Sequence, residues 1–194
     1  MKKYIIFAGV NGAGKTTFFQ TYPEIWDMPR VNLDEIVRSF GTWKNNADVY
    51  KAGKIAVKRI REYFEQGVSF NQETTLCGRV ILRNIQTARE RGYAVEIYYV
   101  GVDSPELAKD RVAERVKHGG HGIPEQDIDR RYAKSLKNLQ EILPMCDRVE
   151  LYDNTNGFRQ IAIFRNGSCV EKSDNVPGWA KDMISPIQSI HGSA

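Results

Sequence analysis

The stretch GVNGAGKTT, residues 9–17, directly follows the apolar run YIIFA, and together they restrict the fold more than any other part of the chain. Gly9, Gly14, Lys15 and Thr16 satisfy the pattern G-x-x-x-x-G-K-S/T, in which a strand turns into a helix around a polyphosphate. Glycines let the chain curl so that successive backbone N–H groups face inward. Gly9, Asn11, Gly12, Ala13, Gly14, Lys15, Thr16 and Thr17 are therefore the expected nucleotide-binding segment. The helix beginning near Gly14 turns its positive end toward the same anion. Lys15 reaches the β- and γ-phosphates, and the Thr16 hydroxyl ligates a metal ion, so ATP and Mg²⁺ are the expected cofactors.

A near-continuous apolar strand beneath such a turn belongs to a parallel sheet covered by helices on both faces. YIIFAG (4–9), VSFNQET (68–74), YAVEIYYVGV (93–102) and DRVELYD (147–153) read as its strands, with Tyr98 and Tyr99 as strand residues rather than a stacking platform. Helices are expected at 47–66, 78–91, 105–117 and 124–143. The last has Pro124 at its first position and Ile128, Tyr132, Leu136, Leu139 and Leu143 at helical spacing. FRQIAIFRNGSCVEKS (158–173) is two alternating runs around Asn166-Gly167, a hairpin signal, and a final helix is expected at 178–190. The predicted fold is α/β: a P-loop nucleotide-kinase-like parallel sheet flanked by helices, with a C-terminal β-hairpin and helix. It is read as one domain, 1–194, with a core at 1–154 and the hairpin and helix at 155–194.

Charge and cysteine usage exclude several classes. Lys and Arg total 28 against 24 Asp and Glu, interleaved along the chain, so no basic stripe for nucleic acid is expected. Cys77, Cys146 and Cys169 share no metal-ligand spacing and are read as reduced thiols of a cytoplasmic protein. The opening apolar stretch is broken by Asn11 and Gly12 and is not read as a signal peptide. No apolar run approaches the roughly 18 residues that cross a bilayer, so no membrane partner is expected.

Ligands of an open parallel sheet sit at the carboxyl ends of its strands, where three acids are candidates. Asp34 in RVNLDEI reads as a general base or as a first-turn acid of its helix. Glu73 in NQETT closes an apolar strand with a polar cluster, and Asp103 reads more simply as part of a helix start. Arg111 and Arg115 lead into KHGGHGIP (117–124), and Arg130 and Arg131 lead out of it. That is the pattern of a mobile lid carrying a guanidinium clamp for the γ-phosphate, with Arg115 and Arg131 as the preferred clamps. The competing reading pairs these arginines with Asp110, Glu114, Asp127 and Asp129 on the helix surfaces. His118 and His121 are not read as ligands.

In order, GVNGAGKTT, RVNLDEI, QETTLCGR, GYAVEIYYVGVDSPELAKDRVAERVKHGGHGIPEQDIDRRY, NLQEI and LYDN, spanning roughly 4–154, resemble the zeta-toxin family of P-loop kinases. The resemblance implies an ATP-dependent kinase acting on a hydroxyl of a small nucleotide-type acceptor, in that family UDP-N-acetylglucosamine. It implies that Lys15 and Thr16 are the Walker lysine and hydroxyl, Asp34 the general base and Glu73 the strand-end glutamate. By the same resemblance, Glu73, Thr74, Thr75 and Arg79 lie where the family contacts its acceptor, and an antitoxin-type inhibitor protein is the implied partner. The chain departs from the family where toxin-type lids carry an arginine and this one reads HGGHGI, which moves that role to Arg130 or Arg131 or removes it. A second function class is a P-loop ATPase or nucleotide switch working through a protein partner. The missing N-K-x-D and LSGGQ strings count against it.

Overall fold

The apolar run before the glycine-rich turn is β1 (Lys3–Ala8). The computed structural model describes residues 1–184. Within them β1 is an inner strand of a seven-stranded sheet that also contains β2 (Arg30–Val31), β3 (Phe70–Thr74), β4 (Ala94–Gly101), β5 (Arg148–Asp153), β6 (Arg159–Arg165) and β7 (Ser168–Lys172). Their order is β2-β3-β1-β4-β5-β6-β7. The first five in that order are parallel, with Tyr4 opposite Phe70 and Val95. β6 and β7 extend the sheet antiparallel.

Successive side chains of a strand point to opposite faces, and β1 serves two cores. Tyr4, Ile6 and Ala8 join Phe64, Phe70, Ile97 and Leu139 on one face. Ile5 and Phe7 join Val100, Val112 and Ile128 on the other. This two-sided burial is why the strands read as unbroken apolar runs. The covering helices are α1 (Lys15–Phe19), α2 (Leu33–Arg38), α3 (Asn46–Gln66), α4 (Arg79–Glu90), α5 (Pro105–Lys117), α6 (Glu125–Ile142) and α7 (Lys181–Ile184). No described helix is long and apolar enough to cross a membrane.

The expected elements recur within a residue or two, with three differences. β2 was not anticipated, because two residues display no period. Pro124 is the N-cap of α6 rather than its first helical residue, a shift within the ordinary fraying of helix ends. The final helix opens with a 3₁₀ turn, Gly178–Ala180, before α7, and the part expected at 185–190 lies outside the described residues. The hairpin turn is as expected: Asn166 and Gly167 have φ of 49° and 79°, the doubly positive pair that matches the twist of antiparallel strands.

Candidate active site

All parallel strands end on one edge of the sheet, and there the chain between β1 and α1 forms the phosphate loop. Gly9 has φ 144°, and a β-carbon on it would collide with the Val100 carbonyl oxygen of β4. Only glycine lets the turn pass that close to the neighbouring strand. Ala13 is fully buried against the second core, and its carbonyl accepts a bond from Asn154 Nδ2 at 2.8 Å. Asn154 follows β5 and is itself anchored by its N–H to Gly101 O at 2.8 Å. The loop is thus fastened to the ends of β4 and β5.

Asn11, Gly12, Gly14, Lys15, Thr16 and Thr17 line a cavity of about 920 Å³. Lys15 is 8% exposed, and its Nζ donates to Val10 O at 3.0 Å. Burial pushes the Lys15 pKa down, opposed by the charges of Glu73 and Asp34. The Thr16 hydroxyl donates to Glu73, 2.9 and 3.1 Å from its two carboxylate oxygens, which leaves the hydroxyl's lone pairs for a cation.

Glu73, at the end of β3, is the hub of this side. It accepts from Arg30 Nη2 at 2.6 Å and Asn32 Nδ2 at 2.9 Å as well as from Thr16. Arg30 is held in turn by Asn71 Oδ1 at 2.9 Å and Glu35 at 3.0 Å, with its guanidinium 3.6 Å above the Phe19 ring. Asn32 caps α2: its Oδ1 accepts from the N–H groups of Asp34 and Glu35 at 2.8 and 3.3 Å. The cap is therefore Asn32, and the Asp34 carboxylate is left free of that task and lines the cavity.

The segment 118–124 folds over the same cavity. His121 stacks on Trp43, with ring centroids 4.3 Å apart and planes 11° from parallel. Its Nδ1 lies 3.9 Å from Asp34 Oδ2. Arg115 Nη2 donates to His121 O at 2.7 Å, while the buried Arg115 Nε has no hydrogen-bond partner among the described residues. Burial lowers the His121 pKa, with Asp34 pulling the other way. Arg131 Nη1 donates to Asn11 Oδ1 at 3.0 Å, which sets a guanidinium against the phosphate loop. Arg130 is mostly exposed and paired with Asp127 at 2.7 Å. Arg111 is tied to Thr155 O at 3.0 Å. Both of these arginines also line the cavity.

Thr74 and Thr75 also line the cavity. Next to them Leu76, fully buried, has φ 60°, a costly conformation for a non-glycine residue. It is held by its N–H to Thr74 Oγ1 at 3.1 Å and by Asn138 Nδ2 to its carbonyl at 2.7 Å. Cys77 Sγ lies 3.1 Å from Thr75 O and 3.2 Å from Arg131 O, and burial pushes its thiol pKa up. Arg79 is exposed and outside the cavity lining. Asp103 is also exposed, and Ser104 rather than Asp103 caps α5.

Arg30, Asn32 and Asn154 were not singled out from the sequence, although all three stand inside quoted segments, and Asn before Leu-Asp-Glu is a capping signal. Nothing in the sequence pairs Trp43 with His121, which are 78 positions apart. Among the described residues no group of three His, Cys, Asp or Glu could hold a metal. The Thr16 hydroxyl beside the Glu73 carboxylate is nevertheless an all-oxygen donor set suited to Mg²⁺, which takes few protein ligands and shares the rest with substrate phosphates.

A sequence model of the zeta-toxin family matches residues 1–166. The chain belongs to the zeta-toxin family. This zeta-toxin family member is also similar to an uncharacterized protein of Haemophilus influenzae, 30% identical over 130 residues, 67% of this chain and 92% of that protein. Among solved structures it is similar to the AvrRxo1-ORF1:AvrRxo1-ORF2 complex with sulphate ions, at TM-score 0.70 and 14% identity, covering 99% of this chain and 66% of that one. The same complex with ATP gives TM-score 0.60 at 17% identity, covering 100% and 66%. The PezAT toxin-antitoxin system of Streptococcus pneumoniae gives TM-score 0.59 at 19% identity, covering 95% of this chain and 77% of that one. At these identities the structures speak for the shared P-loop kinase fold.

Proposed function

We propose that this zeta-toxin family member is an ATP-dependent phosphotransferase that moves the γ-phosphoryl group of Mg²⁺·ATP to a hydroxyl of a small-molecule acceptor. The observation that carries this reading is that Lys15, Thr16, Asp34 and the lid arginines Arg115 and Arg131 all line one cavity. A nucleotide switch needs the first two; a carboxylate placed for an acceptor hydroxyl is what a kinase adds.

In this reading the loop from Asn11 to Thr17 cradles the β- and γ-phosphates, with Lys15 neutralising them. Thr16 would hold Mg²⁺, with Glu73 behind it, and the ion supplies charge neutralisation between the phosphates when bound. Asp34 accepts the proton of the acceptor hydroxyl as its oxygen bonds to the γ-phosphorus and the bond to ADP breaks. Arg131, set against Asn11, and Arg115, with its unpartnered Nε, stabilise the charge that spreads over the transferring group. Thr74 and Thr75 orient the acceptor, and Arg79 joins them only by reaching inward from α4. An antitoxin-type inhibitor protein is the partner the family likeness favours, since the PezAT neighbour is described as part of a toxin-antitoxin system.

The test is transfer of γ-labelled phosphate to a panel of UDP-sugars, NAD and free nucleosides, with UDP-N-acetylglucosamine as the family's reference compound and Lys15→Ala as the blank. A labelled organic product that disappears in the blank is expected. Turnover unchanged by Lys15→Ala would overturn the reading.

A further inference from the structure

Two histidines punctuate the glycine-rich segment between α5 and α6, and the fold treats them differently. His118 is exposed at the end of α5, its Nδ1 2.9 Å from Glu114 O. The chain then turns back along the helix it has just left. Gly119 has φ 83°, and the Gly120 N–H donates to Arg115 O at 2.9 Å. A β-carbon on Gly120 would come 2.5 Å from Arg115 Cγ and 2.9 Å from Arg115 O, so only glycine lets the backbone lie against that arginine. The next residue is His121, which joins the cavity lining with its side chain 15% exposed.

Two neighbours fix the His121 ring. Trp43 stacks on its face and so sets its plane. Arg115 Nη2 donates to the His121 carbonyl and also lies 3.4 Å from ring Nε2. A guanidinium can only donate, so Nε2 is the ring's acceptor and the proton of the neutral imidazole sits on Nδ1. Nδ1 is the atom that stands 3.9 Å from Asp34 Oδ2. Burial favours the neutral ring, and the charges acting on it are Asp34 and Arg38 of α2, Arg115 of α5 and Arg131 of α6. An N–H is thus aimed at one oxygen of the Asp34 carboxylate.

We infer that His121 is a positioning residue for the base: its Nδ1–H engages Asp34 Oδ2 and leaves Oδ1 to take the proton of the acceptor hydroxyl. This rests on the kinase reading and adds a residue to it. A movement of about 1 Å brings the pair to hydrogen-bonding distance, and hydrogen bonds of a catalytic base commonly tighten once substrate is seated. The neutrality of the donor matters. Asp34 already feels the charge of Arg115, and a second cation in direct contact would hold the carboxylate ionised and weaken it as a base. An imidazole N–H orients the carboxylate at smaller cost to its basicity. The arginine-free stretch HGGHGI therefore serves the base, while the clamp on the γ-phosphate stays with Arg115 and Arg131. The transfer balances: the acceptor oxygen gains the phosphoryl group, its proton goes to Asp34, ADP leaves, and His121 keeps its own proton throughout.

The experiment uses the full chain and two substitutions that divide the roles of the ring. His121→Asn keeps an N–H donor near the place of Nδ1 and loses most of the stack on Trp43; His121→Phe keeps the stack and loses the donor. Each is assayed with Mg²⁺·[γ-labelled]ATP and the same acceptor panel. Where no compound of the panel is labelled, water is the acceptor, read as released inorganic phosphate. In His121→Phe kcat should fall about tenfold or more, and His121→Asn should retain more of it than His121→Phe. The KM for ATP should move less than about twofold in both. In an Asp34→Asn background His121→Phe should cost almost nothing further, since no base is left to orient. Nitrogen-15 spectra of the histidine rings need no turnover: they should show the His121 proton on Nδ1, with a resonance that shifts in Asp34→Asn. A kcat of His121→Phe equal to or above that of His121→Asn, losses additive with Asp34→Asn, or a ring proton on Nε2 overturns the inference. All three leave the kinase reading standing; it falls separately, when Lys15→Ala leaves turnover unchanged.

Discussion

Replacing Arg30 by methionine isolates the brace beneath the phosphate loop. Arg30 and Glu73 side chains are 11% and 10% exposed, and their closest atoms are 2.6 Å apart. The variant keeps an apolar side chain over the Phe19 ring but removes three polar contacts. The bond to Glu35, itself half exposed, contributes little. The bond to Asn71 Oδ1 leaves a fully buried amide oxygen without its donor, a loss of about 1 kcal/mol or more. The buried ion pair is the larger part: removing one partner costs about 3–5 kcal/mol where burial is complete, and less here because Asn32 and Thr16 still donate to Glu73. A total near 3 kcal/mol is expected, which for a chain of this size lowers the Tm by roughly 6–12 °C. Urea melts of Arg30→Met, Glu73→Gln and the double variant give the coupling between the two side chains, expected to exceed about 1 kcal/mol. A loss below 1 kcal/mol for Arg30→Met, or additive single effects, would refute the claim that this pair holds Glu73 under Thr16.

Three further outcomes are expected. Asp34→Asn should bind ATP like the parent in calorimetry while transfer falls by about 10²–10⁴; retained transfer would move the base to Glu73. Leu76→Ala should lose about 2–5 kcal/mol, and Leu76→Gly should be no less stable than Leu76→Ala, reversing the usual order because φ is 60° there. Urea midpoints of the two that follow the usual order would show that the backbone stores no strain at Leu76. His121, facing Asp34, Arg115, Arg38 and Arg131, has a pKa held below its ordinary value by burial. As pH falls from 7.5 to 5.5 the unfolded chain therefore takes up this proton first, so the parent should lose stability relative to His121→Gln. A difference between the two that is flat in pH would rule this out.

The parallel sheet and the phosphate loop were legible because each rests on a local signal: apolar runs buried on both faces, and glycines where backbone passes against backbone. The hairpin followed from Asn166-Gly167 alone. Asp34 could be named but not decided, since a carboxylate one position into a helix serves equally as a first-turn acid. In the structure Asn32 takes the cap. The brace of Arg30, Asn71 and Glu73 joins residues 41 and 43 positions apart on two strands, and the Trp43–His121 stack joins two loops. No periodicity encodes such pairs. The glycine-rich segment 117–124 read as a lid, and its likeness to one lies in where it folds, over Asp34. His121, set aside in the sequence as too isolated to be a ligand, is the histidine of that segment that stands beside Asp34.

Lys15 carries a consequence for any lysine-less variant. Its ammonium, 3.0 Å from Val10 O, closes the loop on itself like a clasp. Nucleotide binding then exchanges one oxygen partner for others around a ring already shaped, and little ordering entropy is charged against affinity. The same clasp means that Lys15→Ala removes a loop hydrogen bond as well as a charge, so part of any affinity it loses comes from the shape of the loop. Lys15→Arg, which keeps the charge but changes the reach, separates the two.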